Sequence, residues 1–287
     1  ALLSVSAAVA WFVWIPNAVE QRVVDAAAGR GLTARVGGVD LGLYGVVLRS
    51  VELTSRGESF VVRLDRVDTG AGIVALASDG RSAVRRLTIS GLRVSVDVHS
   101  RELPAALRAL RGRTGAHPGA HAELPAVDVS AVEVVLRDAV GVLVRTQGGV
   151  LEVLPEGVVR LEAGSVELAP GEPDGASIET FSARVHHEEA GWLIDTFVAQ
   201  GASIRYRERD SEEANPLWER LRACAPLLSS FAVAPEETVA DGDEEADPSR
   251  LEAMARLARA IGARLSPGAN LRLEDLSVVS HSDQGER

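Results

Sequence analysis

The chain is 287 residues long, 46% hydrophobic but only 4% aromatic, and has a formal net charge of −11 at pH 7. Acidic and basic residues nearly balance except in one stretch without a base, formed by Glu236, Glu237, Asp241, Asp243, Glu244, Glu245 and Asp247. We therefore expect no basic face for nucleic acid. Because the chain contains no Lys, a phosphate-loop lysine and a Schiff-base lysine are excluded.

The N-terminal segment predicts a membrane anchor. Residues 1–15 carry no charge and close on aromatic residues, as segments that meet a membrane interface do. The predicted anchor residues are Leu2, Leu3, Val5, Val9, Trp11, Phe12, Val13, Trp14 and Ile15. A full span needs roughly 20 residues, so we expect further residues to precede Ala1. A signal peptide cleaved at Ala8-Val9-Ala10 and a buried core helix are the two alternatives.

A short helix is expected to follow the anchor. Asn17 is a suitable N-cap, and Gly29 and Gly31 are C-terminal stop signals for the helix between them. We therefore assign residues 1–30 to the anchor and this helix.

From Leu32 onward, apolar residues alternate with polar or small ones, which predicts half-buried strands. One spacing recurs among the apolar residues. The first two lie two positions apart, the third follows three positions later, and the fourth lies two positions after the third. The sets are Val46, Leu48, Val51 and Leu53; Leu87, Ile89, Leu92 and Val94; Val127, Val129, Val132 and Val134; Leu271, Leu273, Leu276 and Val278; and, more weakly, Val62, Leu64, Val67 and Thr69. Roughly two such sets are expected by chance.

The step of three has a structural consequence. Side chains alternate between faces along a regular strand, so a bulge or bend must lie at each step if one face is to stay apolar. We predict that the candidate apolar sheet face includes two of these sets, Leu87, Ile89, Leu92 and Val94 together with Val127, Val129, Val132 and Val134.

Turn and helix signals complete the fold prediction. Hairpins are predicted at Pro155–Gly157 and at Glu188–Gly191, which indicates mainly antiparallel strands. Helices are predicted at Leu103–Leu110, Pro216–Phe231 and Ser249–Leu265, the last ended by Ser266-Pro267-Gly268. The expected fold class is α+β and mostly β, with an N-terminal transmembrane helix, a mainly antiparallel sheet and a few helices.

The chain is then divided as follows. Residues 31–233 form a β-rich domain with helical insertions, and residues 234–249 form an acidic linker. Residues 250–287 form a helix and a strand that returns to the sheet.

No catalytic centre, metal site or cofactor is predicted in these residues. His186-His187-Glu188-Glu189 is the densest group of potential ligands, but adjacent strand residues point to opposite faces, so a solvated hairpin end is the preferred interpretation. His117 and His121 have helical spacing, but Pro118 between them opposes a helix. The single cysteine, Cys224, is interpreted as a buried apolar residue.

The opening of the chain resembles the AsmA-like and TamB-like proteins of the Gram-negative envelope. The resemblance rests on the anchor, the short helix and the strands that begin Leu32-Thr33-Ala34-Arg35-Val36 and Val39-Asp40-Leu41-Gly42-Leu43. It extends to the patterns at residues 84–94 and 271–278, and covers about residues 1–100 and a short piece near 270. It implies a single-pass inner-membrane protein whose body lies in the periplasm.

The same resemblance implies a function. A long curved β-sheet with an apolar face is expected to hold membrane lipid, in lipid handling or envelope assembly, with other envelope proteins as possible partners. Similar anchored regions precede membrane-bound peptidoglycan glycosyltransferase domains, so an accessory region of such an enzyme, with its catalytic domain beyond residue 287, is one alternative. A structural β domain is another. We expect the residues present to be non-enzymatic.

Overall fold

The computed structural model describes residues 15–42, 45–79, 83–100, 103, 125–188, 191–207, 216–223 and 265–281. Its helices are α1 (Ile15–Ala28), α2 (Ile73–Asp79) and α3 (Pro216–Ala223), with a 3-10 turn at Arg56–Glu58. Its strands are β1 (Leu32–Leu41), β2 (Val46–Ser55), β3 (Phe60–Asp68), β4 (Arg86–Asp97), β5 (Ala126–Arg137), β6 (Val142–Val153), β7 (Val158–Ala163), β8 (Ser165–Leu168), β9 (Gly175–Ile178), β10 (Thr180–Glu188), β11 (Gly191–Gln200), β12 (Ser203–Arg207), β13 (Leu265–Glu274) and β14 (Ser277–His281).

The fourteen strands in the described ranges belong to one sheet. The order runs from β1 to β6 and then through β7, β10, β11 and β13. A second branch leaves the other half of β6 and runs through β8, β9, β12 and β14. β6 pairs with β7 and with β8 in the same register, because Val150 lies opposite Glu162 on β7 and Gln147 lies opposite Ser165 on β8. The second branch therefore continues the strands of the first, and the sheet is ten long strands wide.

The sheet is mixed. β4 and β5 run parallel, as do β11 with β13 and β12 with β14, whereas the other described pairs are antiparallel. The expectation of a mostly β fold with few helices is confirmed, and both predicted hairpins are present. The parallel pairs follow long connections in the chain, as parallel neighbours require.

One line of irregular backbone crosses the sheet at right angles to the strands. We call it the irregular line, and its members with positive φ are Ser50, Gly91, Ala131, Gly148, Gly201 and Asp275. Strand pairing resumes on both sides with the same register between β1 and β4. The bend predicted at the step of three is confirmed at Ser50, Gly91, Ala131 and Asp275. The weaker set around Asp65 has no such residue.

The irregular line brings small residues opposite larger ones. Gly91 lies at φ 68° beside Asp65 on the neighbouring strand, and a Cβ added at Gly91 would come within 2.7 Å of the Asp65 Cβ. Glycine is required there both for its backbone conformation and for the space it leaves. Across the sheet, Gly201 (φ 63°) makes room for Glu179 in the same way.

α1 packs on the first two strands. Ala27, with Val23 and Val24, contacts Leu32, Ala34 and Leu53 in one small cluster. The short helix predicted after the anchor is thus confirmed, although it begins at Ile15, two residues before the expected cap.

The predicted membrane anchor lies almost wholly outside the described residues. No helix in the described ranges is long and apolar enough to cross a membrane. Leu2, Leu3, Val5, Val9, Trp11, Phe12, Val13 and Trp14 lie outside those ranges, and Ile15 is the first residue of α1.

Of the third predicted helix, only the last residue, Leu265, lies within the described ranges, and the structure places it in a strand. Residues 249–264 lie outside the described ranges, but Leu265 begins β13 and Ser266-Pro267-Gly268 lie within that strand. Proline is tolerated because Pro267 lies between Leu265 and Asn270, where the pairing of β13 with β11 is interrupted by a register irregularity between Ile194 and Thr196. The hydroxyl of Ser266 donates to the Ile194 carbonyl and fixes this segment.

The other two predicted helices are described only in part. Of the helix expected at Leu103–Leu110, only Leu103 is described, and it is fully buried. The helix expected from Pro216 is confirmed as α3 over its first eight residues. α2 was not predicted.

Candidate functional site

One face of the sheet carries a continuous row of apolar residues. Directly opposed cross-strand residues lie on the same face, so the pairings define a row that crosses all ten strands, here called the long row. Its members are Val39, Leu48, Val67, Ile89, Val129, Leu151, Leu161, Ala183, Phe197 and Leu271.

A second row lies on the other side of the irregular line, near the opposite strand ends. This far row consists of Phe60, Val96, Leu136, Val144, Leu168, Ala176, Ile204 and Val278. It runs from β3 to β14, and every member is apolar.

The irregular line keeps both rows on one face. In β5, Val129 and Val132 are both buried, at 3% and 6% exposure, while Ser130 and Ala131 between them are exposed. Regular alternation would place Val129 and Val132 on opposite faces. The positive φ of Ala131 restarts the alternation, so side chains before and after it share the apolar face.

The structure brings the predicted face residues together. β4 and β5 are parallel neighbours, and Leu87 pairs with Val127, Ile89 with Val129 and Val94 with Val134. Leu92 and Val132 lie just past the irregular line on the same two strands. The eight predicted positions thus form one patch in the first half of the sheet.

The opposite face is charged. It carries ion pairs that are largely exposed, and surface pairs of this kind contribute little to stability, so this face is solvated. The pairs are Asp40–Arg49, Glu52–Arg63, Asp65–Arg93, Glu133–Arg93, Asp128–Arg86 and Glu152–Arg160. The hydrogen bond and charge of Asp128 raise the pKa of the Arg86 guanidinium.

Exposure of the apolar face rises toward the last strands. Large apolar side chains on and between β12, β13 and β14 are about half exposed, whereas the long-row residues Val67 and Val129 are buried. The exposed set is Ile204, Tyr206, Leu271, Leu273, Leu276 and Val278. Sequence reasoning selected the sets at 87–94 and 127–134 as the candidate face and did not anticipate this difference in exposure.

α3 packs at the far row. Its Leu217 and Leu221 join a cluster built on the buried residues Val98 and Leu143. Three consecutive members of the far row complete this cluster, namely Leu136, Val144 and Leu168.

A buried charge cluster fixes α3 beside these residues. The guanidinium of Arg220 donates to Asp138 in the β5–β6 turn, to Glu172 in the β8–β9 connection and to the Val142 carbonyl. Burial disfavours the ionised Asp138, but hydrogen bonds from Arg220 and the turn amides outweigh it and lower the pKa of the carboxyl. The same hydrogen bond to Asp138 raises the pKa of Arg220. Sequence reasoning missed this cluster, because nothing local marks Arg220.

His186 has a structural partner on the charged side. Its Nδ1 lies 3.0 Å from Asp195 Oδ2. Burial opposes ionisation of Asp195, yet hydrogen bonds from Ser266 and His186 lower its pKa. No group of three or more potential metal ligands occurs within the described residues. The side chains of His187 and Glu188, and the positions His117, His121 and Cys224, lie outside what is described.

An open hollow of about 350 Å³ lies where the irregular line crosses β6, β7 and β10. Its lining includes Gly148, Gly164, Glu162, Thr180 and Gln200. Val150, Phe181 and Val198 also line it, but such a shallow, open surface provides no enclosed site for a small molecule. The apolar face is therefore the stronger candidate.

No protein-family model matches the sequence, and no curated protein matches it.

Proposed function

We propose that the chain is an AsmA-like, membrane-anchored module that binds acyl chains of membrane lipids along the apolar face of its sheet. Its role would be lipid handling or envelope assembly, with the body on the periplasmic side of the inner membrane. The observation that carries the proposal is the long row, which stays apolar across ten strands while the opposite face is charged.

The chemistry of the face supports an extended hydrocarbon ligand. The two rows offer no charged or hydrogen-bonding side chain, so a ligand that needs polar partners would gain little there. An acyl chain needs none, and each methylene that leaves water contributes about 0.8 kcal/mol. Large exposed apolar surfaces usually mark a binding surface, and the half-exposed Leu271, Leu273 and Val278 meet that description.

Mass spectrometry of the protein purified in mild detergent tests for bound lipid directly. We expect phospholipid or fatty acid to remain with the wild-type chain. The sharper test is Leu271→Asp, because Leu271 is 50% exposed and its replacement does not require a buried charge in the unliganded fold. Binding of a fluorescent fatty acid should weaken at least about tenfold, or about 1.4 kcal/mol.

Asn270→Asp is the matched control. Asn270 is the preceding residue of β13 and pairs with Thr196, so it lies on the charged face. Asn270→Asp introduces the same carboxylate as Leu271→Asp, and we expect it to leave acyl-chain binding unchanged. Equal affinities for the two variants, or a wild-type chain that carries no lipid and binds no fatty acid, would leave a structural β domain as the better interpretation.

A further inference from the structure

α3 lies on part of the surface that the proposed ligand would use. Leu217 and Leu221 pack against the buried residues Val98 and Leu143. The same two residues are contacted by Leu136, Val144 and Leu168, which are consecutive members of the far row on β5, β6 and β8. The far row continues beyond the helix on both sides, toward Phe60 and Val96 in one direction and toward Ala176, Ile204 and Val278 in the other. A hydrocarbon chain lying along this row therefore meets α3.

The helix depends on its docking. The described part of α3 spans eight residues, Pro216–Ala223, and most of the stability of a helix in a protein comes from the packing of its apolar face. Its described apolar contacts come from two leucines, which hold about eight side-chain carbons between them, fewer than a long acyl chain offers. A bound acyl chain can therefore replace the apolar contacts that Leu217 and Leu221 make.

Arg220 supplies charged contacts that hold α3 in place. Arg220 is 7% exposed and reaches Asp138 and Glu172, which lie in two separate connections of the sheet. Because Asp138 is only 1% exposed, this pairing is poorly screened by salt. Arg220 thus fixes the position of the helix, while the leucines cover the apolar surface.

We propose that α3 is a built-in competitor for the far row and that Arg220 is the positioning residue that holds it there. The inference rests on the proposed function, since it concerns regulation of the same apolar face. In the docked state α3 hides the middle of the far row, and a ligand uses that part only when the leucines have left. The apparent affinity is then the intrinsic affinity multiplied by the fraction of molecules in which α3 has left the row.

The test compares palmitate binding to the wild-type chain and to the double variant Leu217→Ser/Leu221→Ser. Loss of the leucines should strengthen binding at least about threefold, because less of the population has the row covered. Glu219→Gln is the matched control, since Glu219 lies exposed on the same helix, and it should leave the affinity unchanged. Arg220→Lys keeps the charge but loses the paired hydrogen bonds, and it should also strengthen palmitate binding.

Hydrogen exchange of residues 216–223 gives a second readout that does not depend on a variant. Palmitate should reduce the protection of α3 amides in the wild-type chain. If the wild type binds palmitate while α3 protection and the variants' affinities stay unchanged, the competitor role is wrong and lipid binding stands. If the wild type does not bind palmitate, the proposed function fails first, and the role of α3 as a competitor fails with it.

Discussion

Arg220 and Asp138, 82 residues apart in the chain, form a two-point ion pair: Nε lies 2.5 Å from Oδ2 and Nη2 lies 3.1 Å from Oδ1. Asp138 also accepts the backbone N–H groups of Val140 and Gly141, both at 2.9 Å. The carboxylate therefore orders its own turn and anchors α3 at once.

Asp138→Asn should lower the free energy of unfolding by about 3 kcal/mol, because the buried guanidinium of Arg220 loses the carboxylate that it contacts at two points. Urea denaturation measures the change. The control is Asp40→Asn, which breaks the exposed pair with Arg49 and should cost less than about 1 kcal/mol. Similar losses in both variants would show that the buried pair contributes no more to the free energy of unfolding than the exposed pair does.

The lowered pKa of Asp138 predicts acid sensitivity. Near pH 4 the folded state binds fewer protons at this carboxyl than the unfolded state does, so stability falls as the pH falls. The contribution is complete above the unfolded pKa of about 3.9 and disappears as the pH drops through the lower folded value. Asp195 acts in the same direction. Denaturation midpoints between about pH 6 and pH 2.5 should fall less steeply for Asp138→Asn than for the wild type. Parallel curves would contradict the assignment.

The parts of the fold that sequence predicted are those with local causes. Alternation of Val and Leu fixes a strand within a few residues, and the step of three marks Ser50, Gly91 and Ala131 because a strand must bend to keep one apolar face. The parallel pairing of β4 with β5 and the contact of Arg220 with Asp138 depend on distant parts of the chain. Ser266-Pro267-Gly268, interpreted as the end of a helix, lie within β13, because the flanking residues Leu265 and Asn270 pair with the distant strand β11.

Ala131 provides a test of the irregular line. It is exposed, lies in the middle of β5 and has φ 54°, a conformation that costs an alanine roughly 1–2 kcal/mol. Ala131→Gly should therefore leave stability unchanged or raise it by up to about 1 kcal/mol. Ala126→Gly, in the same strand but without positive φ, should destabilise by about 0.5–1 kcal/mol. Thermal melts of the two variants distinguish these outcomes, and equal losses would argue against backbone strain at Ala131.

Gly91 and Asp65 test the close approach of two strands. Gly91→Ala should destabilise by about 2 kcal/mol or more, because the new Cβ meets the Asp65 side chain and φ remains 68°. Gly38→Ala is the control, since a Cβ there has nothing within 4 Å, and it should change stability by less than about 0.5 kcal/mol. The double variant Asp65→Gly/Gly91→Ala removes the collision but keeps the backbone strain. It should recover about 1 kcal/mol relative to the sum of the two single changes. Simple additivity in urea denaturation would mean that backbone conformation alone requires glycine at this position.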